Sequence, residues 1–356
     1  MKILITGICG FAGSTLAFSL RETIDGATVM GLDNLSRPGS HEHRSRLRAA
    51  GIEVRHGDVR CASDLESLPV VDWVIDASAN PSVLAGVTGG TTSRQVVEHN
   101  LIGTINLLEY CRRLNSGFIL LSTSRVYSIR DLAALPIQVE NQAFQLQLGN
   151  SRSAGVGENG IDETFPTTPP ISLYGATKLA SEVLAREYGA SYGFPVWINR
   201  CGVLAGAGQF GRPDQGIFSY WIHSWKQRRP LSYIGFGGEG HQVRDCLHPK
   251  DLTPVLVQQM AAAGSEHEHQ VFNLSGGIRS AHSLRALSDW CAERFGSHEV
   301  GAQPKERPND IPWMVLDSAR ASARWDWQPE TTADSIFEEI AAQAEERPDW
   351  LDLSAG

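Results

Sequence analysis

The stretch KILITGICGFAG, residues 2–13, decides the fold because it joins a short apolar strand directly to a glycine-rich turn. The glycines of that turn are Gly7, Gly10 and Gly13. Glycine lets the backbone turn tightly and approach a pyrophosphate, whose charge then lies at the positive N-terminus of the following helix. Many tight strand-to-helix turns contain such glycines. The triplet alone is therefore weak evidence for a dinucleotide site, and a second signal is needed.

Asp33 gives that second signal. It closes the predicted strand TVMGLD, 20 residues beyond Gly13. A carboxylate at this position accepts hydrogen bonds from the adenosine ribose and repels a 2'-phosphate. NAD is thus favoured over NADP, although the nearby Arg37 keeps NADP open as an alternative. A plain helix-capping role for Asp33 becomes the weaker interpretation once its position and the glycines are taken together.

The first 200 residues alternate short apolar runs with helical stretches. The predicted strands are KILIT, TVMGLD, EVRHGD, DWVIDAS, GFILLSTS and PVWINR, and the clearest helix is SRQVVEHNLIGTINLLEYCRRL. This alternation predicts an α/β fold with a Rossmann-type doubly wound parallel sheet. We expect a NAD-binding domain over residues 1–200, with a segment near 241–262 as a candidate to return to it. Residues 201–356 are expected to form a smaller mixed α/β C-terminal substrate domain.

A long polar segment separates the fifth predicted strand from the next helix. It runs from Ser128 to Tyr174 and is punctuated by glycine and proline. Such punctuation predicts an excursion over the surface, and a loop of this length near a site is usually a lid or is partly mobile. Residues 129–165 carry no motif that assigns them a function.

Composition limits the partners. The net charge is -9, from 31 Lys plus Arg against 40 Asp plus Glu, and no long basic run is present, so nucleic acid is an unfavourable partner. No run of about 18 apolar residues predicts a membrane segment. The six cysteines are scattered and the histidines 223, 241 and 248 lack ligand spacing, which indicates neither a disulfide framework nor a metal site. A cytoplasmic protein is expected.

Two further stretches carry candidate chemistry. SLYGATKLASEVLAREYG places Tyr174 four residues before Lys178 on one helix face, and LSTSRVY ends the fifth strand with the hydroxyls of Ser122, Thr123 and Ser124. Each pattern alone is common on a helix surface or at a strand end. An ammonium beside a phenol lowers its pKa, so Tyr174 would accept a proton near neutral pH. With the dinucleotide turn, these groups predict removal of a proton from an alcohol while its carbon transfers hydride to nicotinamide.

The motifs GxxGxxG, DNLSR, HGDVR, STSRVY and YGATK resemble those of the extended short-chain dehydrogenase/reductase superfamily, specifically its nucleotide-sugar epimerases and dehydratases. The resemblance covers nearly the whole chain, and the run GQFG followed by DQG and QVRD is most similar to 2-epimerases that act on CDP-sugars. It implies a nucleotide-diphosphate sugar as substrate, NAD as cofactor and a homo-oligomer, a dimer or tetramer. It also implies catalysis by Thr123, Tyr174 and Lys178.

The resemblance further implies which residues surround NAD. They are Gly7, Gly10, Phe11, Ala12, Gly13, Asp33, Asn34, Arg37, Asp58, Val59, Ala77, Ser78, Ala79, Asn100, Ser122, Tyr174 and Lys178.

On the substrate side, Arg244 and Arg307 are the candidates for the pyrophosphate, because a guanidinium grips phosphate oxygens with two hydrogen bonds. Gln242 and Asp310 are expected to orient the nucleotide. The remaining candidates for the sugar and base pocket are Asn80, Thr123, Gln209, Phe210, Asp214 and Gln215.

The residues after Thr123 bear on the reaction. Dehydratases of this superfamily carry Asp-Glu there, whereas this chain has Ser124 and Arg125. Neither can serve as a carboxylic acid, which disfavours dehydration and favours epimerisation. The resemblance implies that the epimerised position is C2 of a CDP-sugar. A C4-epimerase or another sugar-nucleotide oxidoreductase stays open, because the catalytic trio cannot report which carbon reacts. A non-catalytic dinucleotide sensor is the weaker alternative, since such proteins commonly lose the Tyr or the Lys.

Overall fold

The computed structural model describes residues 1–87, 91–149, 154–262 and 270–355. The strands are β1 (Lys2–Thr6), β2 (Thr28–Asp33), β3 (Glu53–His56), β4 (Trp73–Asp76), β5 (Gly117–Thr123), β6 (Ile137–Glu140), β7 (Ala143–Leu146), β8 (Val156–Gly157), β9 (Gly160–Ile161), β10 (Val196–Cys201), β11 (Val203–Leu204), β12 (Leu231–Ile234), β13 (Val243–Leu247), β14 (Val271–Leu274), β15 (Ala281–Ser283), β16 (Val300–Gln303) and β17 (Trp313–Met314). The helices are α1 (Phe11–Thr23), α2 (Ser40–Ala49), α3 (Ala62–Glu66), α4 (Ser93–Val97), α5 (Gly103–Leu114), α6 (Ile129–Ala133), α7 (Ser172–Tyr192), α8 (Ile217–Lys226), α9 (Thr253–Ala261), α10 (Leu284–Phe295), α11 (Ala319–Trp325), α12 (Ala333–Glu346) and α13 (Trp350–Ala355).

Seven strands form the central sheet in the order β14-β10-β5-β4-β1-β2-β3, and every neighbouring pair is parallel. The six strands predicted from the sequence are all present, and β14 adds a seventh. Strand order reverses between β1 and β4, which makes this the switch point where ligands bind in open α/β sheets. The predicted doubly wound fold is confirmed.

The strands are apolar because helices cover both faces of the sheet. Alternate residues of β1 enter different cores: Ile3 and Ile5 pack on the side of Leu16 in α1, whereas Leu4 packs on the side of Leu107 in α5. The predicted long helix over residues 93–114 forms as α4 and α5, joined by a π-helical turn at Glu98–Ile102.

The part of the chain beyond residue 200 contributes both to the central sheet with its helices and to a second core. Helix α9 packs against α1, and β14 extends the central sheet beside β10. The rest builds a second core around α8, α10 and α12, in which Phe218 stacks on Phe337. A small sheet, β11-β13-β15 with β17 beside β13, lies with this part of the chain. The division into domains at residue 200 stays a prediction.

The segment from Ser128 to Tyr174 is not a plain surface excursion, and that prediction is wrong for its described residues. It contains α6 and the hairpins β6–β7 and β8–β9. Ile161 and Phe165 are buried in one cluster with Trp313, and Ile161 N donates to Val315 O at 2.8 Å. The sequence did not reveal this core, because its apolar residues are widely spaced and their partners lie about 150 residues away. Residues 150–153 of the segment lie outside the described ranges.

Over the described ranges, we find no helix that is both long enough and apolar enough to span a membrane.

Candidate active site

A cavity of about 480 Å³ opens at the carboxyl ends of the parallel strands and reaches across to the second core. Most residues predicted to bind ligands line it. They are Gly7, Gly10, Phe11, Ala12, Gly13, Asp33, Asn34, Arg37, Val59, Ala77, Ser78, Ala79, Ser122, Thr123, Tyr174, Gln209, Phe210, Asp214, Gln215, Gln242, Arg244, Arg307 and Asp310. We call the part that follows β1, β2 and β4 the cofactor wall, and the part built by residues 203–217, 242–244 and 307–311 the substrate wall.

The glycine turn of the cofactor wall leaves no space for side chains. Gly7 has a φ of +65°, and a Cβ there would lie 2.9 Å from Ala77 O. A Cβ on Gly13 would lie 2.3 Å from Gly7 O. Gly10 caps α1 without a side-chain hydrogen bond, so the start of the helix faces the cavity through its backbone. The turn therefore offers backbone N–H groups at a helix N-terminus, which suits a pyrophosphate.

Backbone N–H groups hold the carboxylate of Asp33 in one orientation. Cys9 N donates to its Oδ2 and Leu35 N donates to its Oδ1, both at 2.8 Å. Burial raises the pKa of Asp33, against these two hydrogen bonds. The carboxylate is thus oriented at the end of β2, where the sequence predicted a ribose partner.

The guanidinium of Arg37 forms its hydrogen bonds with the substrate wall. Its guanidinium donates to Phe210 O at 2.7 Å and to Gln215 Oε1. Both acceptors belong to the substrate wall. The side chain that kept NADP open in the sequence therefore bonds a loop of the second core.

Four predicted residues lie outside the cavity lining: Asp58, Asn80, Asn100 and Lys178. Asn100 Oδ1 accepts from Asn80 N at 2.7 Å, and Asn100 Nδ2 donates to Asn80 O at 3.1 Å. Asp58 accepts from Asn34 Nδ2 at 3.0 Å. Asp58 and Asn100 thus hold other residues of the site in position.

Tyr174 and Lys178 lie one turn apart near the start of α7, and both side chains are buried. Burial raises the pKa of Tyr174 to about 12, while Thr123 and Arg125 act in the opposite direction. The lowered pKa that the Tyr/Lys spacing predicted is therefore wrong for this structure, because desolvation of the phenol outweighs the neighbouring charges. Burial also lowers the pKa of Lys178, against the charges of Asp76 and Glu182.

A buried ion pair behind these residues was missed by the sequence analysis. Ser122 Oγ donates to Glu182, which Arg200 grips at 2.7 Å. Arg200 Nη1 also donates to Tyr127 OH at 3.3 Å. Glu182 lies one turn beyond Lys178 on α7, and that spacing was the available signal. The pair fixes the inner face of α7 against β5 and β10.

The substrate wall brings together side chains from distant segments. Arg244 Nη2 donates to Ile311 O at 2.7 Å and to Asp310 Oδ1 at 3.4 Å. Arg307 Nη1 donates to Pro213 O at 2.9 Å, and its Nε lies 3.8 Å from Asp310 Oδ2. Burial lowers the pKa of Arg244.

Two glutamines of this wall present unused acceptors. The amide oxygens of Gln209 and Gln242 are buried and have no hydrogen-bond partner among the described residues. Buried acceptors without a partner are costly, which favours a ligand that donates to them.

Arg125 also lines the cavity, although the sequence drew attention to it only because it is not a carboxylic acid. Its Nη2 donates to Asn309 O at 2.5 Å. Burial, followed by the charge of Arg244, lowers the pKa of Arg125 to about 10. Its place directly after β5, at the ligand-binding edge of the sheet, was the available signal.

The three histidines weighed for a metal lie apart. His223 is fully buried, the ring of His241 packs edge-on against Phe144, and His248 pairs with Glu339. Across the ranges that the structure covers, no group of three or more His, Cys, Asp or Glu side chains could hold a metal ion.

The sequence matches the Epimerase family, described as the NAD dependent epimerase/dehydratase family, over residues 3–275. It is 31% identical to the CDP-paratose 2-epimerase of Salmonella typhi over 354 residues, which cover 94% of this chain and 96% of that relative. It is 26% identical to the dTDP-glucose 4,6-dehydratase of Salmonella typhimurium over 353 residues, covering 94% and 90%.

Solved structures share the fold. The UDP-glucuronic acid 4-epimerase of Bacillus cereus, in complex with UDP-glucuronic acid and NAD, gives a TM-score of 0.77 at 23% identity, covering 97% of this chain and 99% of that chain. A double mutant of the dTDP-glucose 4,6-dehydratase of Streptomyces venezuelae, with NAD bound, gives 0.79 at 23% identity, covering 99% and 100%. Together with the glycine turn and Asp33, the matched sequence shows that the chain belongs to the NAD dependent epimerase/dehydratase family and uses NAD.

Proposed function

We propose that the protein epimerises a nucleotide-diphosphate sugar at C2 by transient oxidation, with a CDP-sugar of the CDP-paratose/CDP-tyvelose type as substrate. The main observation in favour of epimerisation is the composition of the turn after β5, where Ser124 and Arg125 line the cavity together with Tyr174. Elimination of water needs a carboxylic acid at this turn, and the turn has none. The end-to-end similarity to a CDP-paratose 2-epimerase supports the choice of C2 and of CDP.

The residues of the cofactor wall fit NAD. The glycine turn is a cradle that a Cβ on Gly7 or Gly13 would fill, and Asp33 presents an oriented carboxylate. NAD bound there would supply a hydride acceptor and donor, and the positive charge of its nicotinamide ring would favour the ionised phenol. The remaining steps depend on side chains of this chain.

Tyr174 is the proposed base. Its phenolate takes the proton of the C2 hydroxyl as the carbon is oxidised, and it returns the proton when the ketone is reduced. The hydroxyl of Thr123 also hydrogen-bonds to the C2 oxygen of the sugar. Arg125 supplies positive charge that favours the phenolate, which the burial of Tyr174 otherwise disfavours. Lys178, one turn further along α7, is proposed to hold the nicotinamide ribose.

Arg244 and Arg307 hold the diphosphate in this proposal. A fixed diphosphate leaves the oxidised sugar free to turn and to present its other face for reduction. No net redox change occurs, so NAD stays bound throughout the cycle. A homo-oligomer in the cytoplasm stays a prediction.

The test is a CDP-sugar labelled with deuterium at C2, incubated with the purified protein and followed by NMR. We expect the epimer to keep its deuterium, because the hydride that leaves C2 returns to C2 without exchange with water. Loss of the C2 label into water, or cycling of a label at C4 instead, would contradict the proposal, and the second result would favour a C4-epimerase. CDP-, UDP- and GDP-linked sugars run in parallel identify the base.

A further inference from the structure

The turn after β5 places the backbone of Arg125 beside the proposed base. Arg125 N donates to Thr123 Oγ1 at 3.1 Å. A Cβ on Gly175 would lie 2.2 Å from Arg125 O, so the backbone of Arg125 packs directly against α7 one residue beyond Tyr174. Arg125, Thr123 and Tyr174 all line the cavity.

The side chain of Arg125 points away from this turn, toward the substrate wall. Its Nη2 donates to Asn309 O at 2.5 Å. Asn309 lies in the chain between Arg307 and Asp310, and Asp310 pairs with both Arg307 and Arg244. Arg125 therefore spans the distance from the proposed base to the proposed diphosphate site.

The charges around this point are unbalanced. Four guanidiniums line this side of the cavity, those of Arg37, Arg125, Arg244 and Arg307, against the two carboxylates of Asp214 and Asp310. Asp310 pairs with Arg244 and Arg307, and Asp214 accepts from Ser82 Oγ. Asp245 also acts on Arg244, but its Oδ2 accepts from Leu316 N within the protein. Burying cations without equal negative charge is unfavourable, so the wall requires an anionic ligand.

Resting on the proposed function, we propose that Arg125 binds the sugar-linked phosphate of the substrate, and thereby presents C2 to Thr123 and Tyr174. The diphosphate supplies the negative charge that the wall requires. C2 is bonded to the carbon that carries this phosphate, whereas C4 lies across the ring. A phosphate-binding arginine in contact with the catalytic turn thus matches reaction at C2.

The experiment measures nucleotide binding to the NAD-loaded protein by calorimetry, with CDP and CMP as probes. CMP lacks the second phosphate, the one that is linked to the sugar in the substrate. Arg125→Gln should weaken CDP binding by about 10- to 100-fold, as expected for loss of a charge-assisted phosphate contact. CMP binding should change by less than about threefold, because CMP lacks the phosphate that Arg125 would contact. Arg125→Lys keeps the charge but loses the planar fork, and should fall between the two proteins.

Arg113→Gln is the matched control, because Arg113 is an exposed arginine on α5, and it should bind both nucleotides as the wild type does. NAD content and melting temperature verify that each variant is folded. Equal weakening of CDP and CMP, unchanged CDP binding, or weakening confined to the CDP-sugar would each overturn the role of Arg125 and leave the proposed function intact. A wild-type protein that binds neither CDP nor UDP would overturn both.

Discussion

The two walls of the cavity are built in opposite ways. The cofactor wall is built by the ends of three neighbouring strands, β1, β2 and β4, with the glycine turn at the start of α1, and its key carboxylate, Asp33, already has both oxygens hydrogen-bonded. The substrate wall is made of side chains from distant segments, with crowded arginines and the unpartnered amide oxygens of Gln209 and Gln242.

This difference separates two sources of affinity. A wall made of backbone is preorganised, so binding there loses little conformational freedom. A wall of half-buried cations and unpaired acceptors is unfavourable until a ligand supplies the missing charge and donors. We therefore expect the cofactor wall to tolerate almost no change of shape, and the substrate wall to respond mainly to changes of charge.

The largest effect is expected where the walls meet. Tyr174→Phe removes the proton acceptor and keeps the ring, so turnover should fall by about 10²- to 10⁴-fold. Retained NAD and the affinity for the sugar nucleotide should match those of the wild type. Turnover, extracted NAD and calorimetric affinity are the measurements. A variant that loses either ligand would show that Tyr174 belongs to one of the walls.

The pH dependence provides the control for this assignment. A base must be unprotonated to act, so turnover of the wild type should rise with pH until the pKa of the phenol is passed. Because the charge of Arg125 lowers the pKa of Tyr174, Arg125→Gln should move this rise to higher pH. A rise that stays at the same pH in Arg125→Gln would argue against Tyr174 as the titrating group.

The sequence could bring the residues of the cofactor wall together because the determinants of this wall are local. Gly7, Gly13 and Asp33 act through a turn and two adjacent strands, so spacing alone was sufficient. The environment of Tyr174 could not be predicted in this way. Its pKa depends on how completely the surrounding chain excludes water, and the Tyr/Lys spacing carries no information on burial.

The substrate wall was predicted only in part. Motifs located Arg244 and Arg307, whereas Arg125 and the Glu182–Arg200 pair emerge from contacts between segments that spacing cannot connect. The core formed within residues 128–174 is hidden for the same reason.

The next effect in size tests the charge of the substrate wall. Arg244→Ala and Arg307→Ala should each weaken sugar-nucleotide binding by about 1.5 to 3 kcal/mol, because each removes a charge-assisted phosphate contact. NAD binding should not change in either variant. Titration of the NAD-loaded proteins measures both affinities. Unchanged substrate affinity in both variants would mean that the pyrophosphate lies elsewhere.

A smaller effect tests the cofactor wall. Asp33→Asn keeps the shape of the side chain but removes the charge and turns one acceptor oxygen into a donor, so NAD binding should weaken by at least about 1.5 kcal/mol. The preference for NAD over NADP should also fall, since the carboxylate no longer repels a 2'-phosphate. Competition between the two dinucleotides measures this preference. A substrate affinity that dropped with it would show that the two walls are not independent.

The smallest expected change in affinity is that of a variant at Arg37, the residue that connects the two walls. It lies on the cofactor wall, yet its guanidinium donates to Phe210 O and Gln215 Oε1 of the substrate wall. Arg37→Met keeps an unbranched apolar stem and removes both donors, so the loop becomes less ordered and substrate binding should weaken by about 1 kcal/mol. The NAD/NADP preference should stay as in the wild type, because the guanidinium is committed to the loop. A changed preference with unchanged substrate affinity would place Arg37 in cofactor recognition, and the boundary between the walls would then have to be drawn beyond it.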